Sequence, residues 1–403
     1  MKKQEKKYIL GGTIAVICII AAVIITIELN KTPSMVGAEP PIPDHKHSNI
    51  AKLKNPKDIL NNLSATNIEN RDILMPIEGP SNPVSHLQGY ARYRGTNEDE
   101  TSYDYHIFSH SNISGKQGYL YFISEEKGTD NLPKSYFYVK IPETEIRFKT
   151  VGDNQKAARN PHFNHPGSFQ IVEDYLVIGI MPVWADGLKP YWYNAALIYV
   201  YDLRKLREAN FSLRDADGTD KIKNKELTRY TDSDLTSTAV TKLSSGNYLL
   251  GSIAGSKLKL FKLESKTDLW NARLSSTSSL IDYTIESGHQ YQSFNLVTAD
   301  DDEVWVFAYH DNGNVDLYKL PEVKKLIAGE KPTISSPLKI KPELSKKLNF
   351  KDTDFRNAGS IEIINSKEIA IYSIGGHRRD AGSGYGFRIN KFGSSSSPVN
   401  VEE

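Results

Sequence analysis

The chain has a single cysteine, Cys18, in 403 residues. That excludes an intramolecular disulfide and any thiolate metal centre, so whatever folds must be held by its core. Charge of one sign is also missing: 50 basic residues against 49 acidic ones leave a net charge of +1. With no global field to draw in a polyanion, no nucleic-acid partner is expected. Catalytic signatures are absent too. There is no Gly-X-Ser-X-Gly elbow, no His-Glu-X-X-His and no Ser-X-Asp-X-Gly-X-X-Trp box.

What is present begins at the N-terminus. Four lysines in residues 1–7 precede an uncharged run, Tyr8–Ile27, built from Ile, Val, Ala and Leu. As a helix this run spans about 30 Å, the thickness of a bilayer's hydrocarbon core. The lysines keep the tail 1–7 in the cytoplasm, so 8–27 is expected to be a signal anchor with the rest of the chain outside, periplasmic in a Gram-negative cell. A cleaved signal peptide, cut near Val36-Gly37-Ala38, is the competing reading. Residues 28–82 are polar and proline-rich, with Glu39-Pro-Pro-Ile-Pro-Asp44 extended, and are expected to be a linker. Within it, Pro56–Ser64 has the pattern of a short helix packed on the domain.

From Val84 to Phe392 an alternating apolar pattern recurs five times, after lead-ins at His86-Leu-Gln-Gly-Tyr, His165-Pro-Gly-Ser-Phe, Ser237-Thr-Ala-Val, Gln292-Ser-Phe-Asn-Leu and Arg356-Asn-Ala-Gly-Ser-Ile. Ser168–Ile180 reads as strand, turn at Glu173-Asp174, strand; Ala239–Ile253 repeats this around Ser244-Ser-Gly-Asn247. The 22 tyrosines and 14 phenylalanines suit short strands packed on both faces. The repeats resemble the β-propeller superfamily, which implies an all-β fold: a single propeller over 83–393 with about five blades, or six if 269–285 forms its own or if strands swap across the ring closure, followed by a disordered tail, 394–403.

In a propeller the starts of the innermost strands line one mouth of the channel. The resemblance therefore points to His86, His165, Asn164, Ser237, Gln292, Arg356 and Asn357 as ligand-binding candidates, with His377 and Arg378 from the glycine-rich loop 375–386. The plainer reading is that such side chains cap strand ends. His106 and His110 would share a strand face but stand about 13 Å apart, too far for one metal. Asp215, Asp217, Thr219 and Glu226 have the spacing of a twelve-residue calcium loop, with Asp220 where a glycine is expected. Ca2+ is the one cofactor the sequence suggests, and a charged surface loop is the simpler alternative.

These readings predict a membrane-anchored, extracytoplasmic binding module for a carbohydrate, peptide or partner protein. A glycosidase-like hydrolase using channel carboxylates, among them Asp104 and Glu362, is the alternative. A third reading is a scaffold of a membrane complex, with an apolar rim near Pro182–Leu188.

Overall fold

The structure is a computed structural model describing residues 46–47, 52–66, 68–75, 87–97, 99–112, 117–142, 162–183, 196–230, 237–276, 279–286, 291, 293–330, 337–350, 355, 358–379 and 385–393. The chain falls into two units, 1–44 and 45–403. The run Tyr8–Ile27 and the tail 394–403 lie outside the described residues. Among those described, no helix is long and apolar enough to cross a membrane.

The fold is all-β, as the repeats predict. It opens with β1 (Lys46–His47), helix α1 (Pro56–Asn62) and β2 (Glu69–Met75). Pro56 stands at the start of α1, and the side chain of Asn55 accepts a hydrogen bond from the Asp58 amide, satisfying one of the free amides of the first turn. The first meander is β3 (Leu87–Thr96), β4 (Ser102–Asn112), β5 (Gln117–Ser124) and β6 (Tyr136–Lys140). The second is β7 (His162–Val172), β8 (Tyr175–Val183) and β9 (Ala196–Asp202). Next, β10 (Arg214–Asp217) returns to pair with β6, and β11 (Asn224–Tyr230) completes the second sheet against β9.

The third unit is β12 (Ser237–Lys242), β13 (Tyr248–Ala254), β14 (Lys257–Glu264), the short β15 (Arg273–Leu274) and β16 (Ile281–Ile285). The described residues of 269–285 therefore extend this sheet, β15 and β16 both pairing with β14, and form no separate sheet. The fourth is β17 (Ser293–Thr298), β18 (Val304–Tyr309) and β19 (Asn314–Lys319), followed by α2 (Val323–Ile327). Then β20 (Leu338–Ile340) returns to pair with β16, and β21 (Leu344–Lys347) pairs with β19. The fifth is β22 (Gly359–Asn365), β23 (Glu368–Arg379) and β24 (Tyr385–Gly393).

The fourth strand of that last sheet comes from the other end of the chain: β2 pairs with β24 from Glu69↔Lys391 to Met75↔Tyr385. This corrects the expected linker. The described residues of 52–75 belong to the folded unit: the short helix the sequence predicts over Pro56–Ser64 is α1, and Leu60 and Leu63 are buried with Phe307, Ile371 and Phe392.

Alternation with a period of two gives each sheet two apolar faces. Leu176 and Ile178 on β8 face the first sheet, packing with Ile107 and Phe122. Their neighbours Tyr175 and Val177 face the third, packing with Val240, Leu250 and Phe261. Leu249 and Ile253 meet Phe294 and Val306 of the fourth sheet. Val297 and Phe307 meet Ile363 and Ile371 of the fifth. Tyr372 and Ile389 of the fifth meet Tyr90, Phe108 and Tyr121 of the first. The first strands follow the same cyclic order: β3 lies against β7, β7 against β12, β12 against β17, β17 against β22, and β22 against β3.

Such crowding restricts side chains near the centre. A Cβ on Gly89 would stand 2.8 Å from both the Phe169 ring and Ser109 Oγ. The turn at Ser244–Asn247 uses Gly246 at φ 82°, as the sequence predicts.

Candidate functional site

The lead-in residues divide. His86, Gln292, Arg356 and Asn357 lie outside the described residues. Asn164 falls in β7, and His377 and Arg378 in β23, with the description confined to their backbone. His165 is half-buried in β7, opposite Met181 on β8. Ser237 opens β12, and its hydroxyl bonds that of Ser168 on β7, so this lead-in joins strands.

That bond is one of a series linking neighbouring units. Ser109 Oγ donates to Gly167 O at 2.9 Å. Thr241 and Thr298 share a hydroxyl bond at 2.8 Å. The Gly359 amide donates to Ser293 Oγ at 2.8 Å, and the Ile361 amide to Asn295 Oδ1 at 3.0 Å. Gln170 spans from β7 to β17, donating to Leu296 O at 2.8 Å and accepting from Leu296 N at 2.9 Å. Polar inner-strand side chains thus satisfy one another and nearby backbone, as buried polar groups must.

The densest charged cluster among these contacts lies between the first and last sheets. Arg92 on β3 makes a fork with Asp104 on β4, Nε to Oδ1 at 2.8 Å and Nη2 to Oδ2 at 2.6 Å. Its Nη1 donates to the Tyr372 hydroxyl at 3.2 Å, and that hydroxyl donates to Glu362 Oε2 at 2.6 Å. Glu362 Oε1 is held by Arg94 Nε. At the cluster's edge, His106 lies between the Tyr90 hydroxyl, 2.7 Å from Nδ1, and Glu125, 2.5 Å from Nε2.

Burial opposes the Arg92 charge, yet the bonds to Asp104 and the negative field around it hold the guanidinium well above its ordinary pKa. Burial, reinforced by Glu362, pushes the Tyr372 hydroxyl far up, so it stays a donor. The ammonium of Lys391 on β24 has no hydrogen-bond or ion-pair partner among the described residues. Burial lowers its pKa, and Arg92 and Arg94 add to this against Glu362 and Glu69.

The cluster unites two carboxylates singled out in the sequence, Asp104 and Glu362, and engages both fully. Each oxygen of each carboxylate accepts from a guanidinium or a phenol, which suits a fixed counter-ion better than a general acid or base. Asp202, another strand-end carboxylate, is forked by Arg204 at 2.8 and 3.0 Å. Asp232, Asp234 and Asp380 lie outside the described residues. Arg92, Arg94 and Lys391 were not singled out by the sequence, because a charge on an apolar strand reads as its solvent face.

The calcium-loop residues do not converge. Asp215 and Asp217 lie on β10 beside the first sheet, whereas Glu226 lies on β11 opposite Tyr199 in the second. Asp217 is taken by Lys140 Nζ at 2.6 Å and by the Thr219 amide at 3.0 Å. No group of three or more His, Cys, Asp or Glu among the described residues could hold a metal ion.

No protein family matches the chain, and no curated protein matches it. Three solved structures share parts of its course. One is a Bifidobacterium bifidum s17 protein provisionally assigned as an exo-β-1,3-galactanase: 11% identity, TM-score 0.34, covering 82% of this chain and 97% of that one. Another is Drosophila Semaphorin 1a, extracellular domains 1–2: 11% identity, TM-score 0.31, 55% of each chain. The third is Kluyveromyces lactis Hsv2: 8% identity, TM-score 0.27, 76% of this chain and 98% of that one. At these scores the likenesses carry no argument about this chain.

Proposed function

We propose that the chain is a five-bladed β-propeller that works as a binding module, anchored outside a bacterial cytoplasmic membrane by residues 8–27, with a carbohydrate or peptide of the cell envelope as its ligand. The observation that carries the propeller reading is cyclic order: five antiparallel meanders, the second and third joined by the β7–β12 pairing, whose first strands neighbour one another in sequence order, with β22 returning to β3. Five apolar clusters occupy the successive intervals. Sheets packed this way leave their connecting loops at the two ends of the ring, where a rigid scaffold presents variable residues.

The binding reading rests on chemistry. Asp104 and Glu362 are committed to Arg92, Arg94 and Tyr372, which leaves the channel-carboxylate hydrolase without its pair at this place. The mouth candidates of the sequence, His86, His165, Gln292 and Arg356, are hydrogen-bonding groups suited to sugar hydroxyls or peptide amides. Membrane anchoring rests on the length of Tyr8–Ile27 and the lysines before it.

The test is to place full-length protein in nanodiscs and screen it against glycans and cell-envelope fragments. Saturable binding that His165→Ala weakens supports the mouth site. No binding by protein that retains its β-sheet circular dichroism sinks the envelope-ligand reading. Turnover of a glycoside in the same screen would restore the hydrolase.

A further inference from the structure

On the outer part of the third sheet, lysines of two strands stand in register. β14 alternates Lys257, Leu258, Lys259, Leu260; the leucines are buried toward the fourth sheet, so the lysines take the opposite face. Pairing carries that face outward: Lys257 lies opposite Thr284 on β16, Thr284 lies opposite Lys339 on β20, and Lys259 lies opposite Asp282. Opposed residues share a face, so Lys257 and Lys339 flank Thr284 at two strand spacings, roughly 10 Å between backbones.

Positive charge is in excess on this surface. Among the described residues Lys257 and Lys259 take part in no ion pair, while Lys339 and Lys341 reach one shared carboxylate, Glu286, at 3.3 and 3.9 Å. Asp282 and Glu286 are the carboxylates described there, so two of the four lysine charges are left over. Lys257 is exposed, and Lys339 and Lys341 are 75% and 79% exposed at the side chain.

The lysines also have a defined place along the strands. Inner strands run side by side in one direction, with Ser237 beside Ser168 and the Gly359 amide on Ser293. Lys257 belongs to the end where those strands begin, since it pairs with Ala254, one residue beyond the Ser237–Ile253 pair. The chain enters the folded unit at the other end: Lys46 pairs with Thr96, the last residue of β3, and the Lys54 amide bonds Ser366 O in the turn after β22.

We propose that this lysine face binds a linear acidic polysaccharide, one whose carboxylates repeat along the chain. Naming an envelope glycan rests on the binding-module reading above; the excess charge does not. A repeating anion suits the surface because lysines on separate strands meet separate acidic groups of one chain, and paired strands hold that spacing without further ordering of the backbone. A bilayer of anionic lipid carries the same sign of charge, but an anchor at 8–27 is tied to the end away from the lysines. The surface also offers no wedge for a bilayer: among the described residues the exposed large hydrophobic side chains are Ile68 and Leu132, neither on this sheet.

The test uses full-length protein in nanodiscs of neutral lipid, with polygalacturonate as the probe, dextran as its uncharged counterpart and phosphatidylglycerol vesicles as the rival surface. Polygalacturonate should bind saturably, weaken as salt is raised, and lose about ten-fold in affinity in the double variant Lys257→Glu, Lys259→Glu. The same reversal at Lys54 and Lys367, both exposed and at the other end of the strands, should leave binding unchanged. Lys257→Gln with Lys339→Gln, both at exposed positions, serves if the first variant misfolds. Absence of polygalacturonate binding by protein that retains its β-sheet circular dichroism overturns the proposal, as does an equal loss in the Lys54, Lys367 variant or binding to the vesicles alone. Binding of a neutral envelope glycan without affinity for polygalacturonate overturns it too, and leaves the binding-module reading standing.

Discussion

Arg94 of β3 and Glu362 of β22 form a buried ion pair between the first and the last of the five sheets, 6% and 2% exposed at the side chain. Residues 268 positions apart are thus joined where the cyclic order closes. Tyr372 and Arg92 extend the contact to Asp104, so this interval is fastened by ionic hydrogen bonds.

Breaking that pair from one side should be costly. Glu362→Gln is expected to lower the unfolding free energy by about 3–5 kcal/mol, because a buried guanidinium is left uncompensated. The double variant Arg94→Met, Glu362→Leu should lose less, since neither charge remains. Urea denaturation of the three proteins measures the difference.

Gln170 gives a second test. Its amide pairs with both the N–H and the C=O of Leu296. Gln170→Leu keeps the volume but strands two backbone groups, at about 1–3 kcal/mol for each left unpaired. Gln170→Glu retains the acceptor for the amide but repels the carbonyl, and should fall between leucine and wild type in urea midpoint.

How far the sequence reached follows from which strands carry a pattern. The first three strands of each unit are apolar at successive positions because sheets cover both their faces, so β7, β8, β12, β13, β17 and β18 were all readable. The outermost strands were not. β10 reads Arg-Asp-Ala-Asp, β11 carries Asn224, Lys225 and Glu226, and β21 ends in two lysines. Outer strands need only backbone partners on one side, and charges there keep the edge from aggregating. β2 was hidden for another reason: its partner lies at the far end of the chain, and no local pattern announces that. Ser237 was legible as a polar lead-in, but its bond to Ser168 needed coordinates.

Lys391 predicts a pH dependence. Its folded-state pKa lies below the unfolded value of about 10.4. Below the folded value both states are protonated and the folded state carries the full penalty of burying the charge. Between the folded and unfolded values the unfolded chain binds more protons, so stability rises with pH and the penalty fades. Lys391→Met should therefore stabilise the protein most near pH 7, and its advantage over wild type should shrink toward pH 10. A difference independent of pH would contradict this.

Calcium should leave the fold unchanged. Asp217 is already paired with Lys140, and Glu226 lies in a different sheet. Melting curves in millimolar calcium and in chelator are expected to superimpose, because a ligand stabilises only by binding the native state. A rise in melting temperature that saturates with calcium would reinstate the loop as a metal site.

The most direct test of the cyclic arrangement is a covalent one, at the strand pair that joins the two ends of the folded unit. Asn70 of β2 and Asn390 of β24 are register partners, and opposed residues of antiparallel strands have Cα atoms about 4.5–5.5 Å apart, within reach of a disulfide. Cysteines at both positions, with Cys18 replaced by serine, should oxidise within one molecule and yield a peptide linking residues 69–75 to residues 385–393. Free thiols, or links only between molecules, would contradict closure of the last sheet by β2.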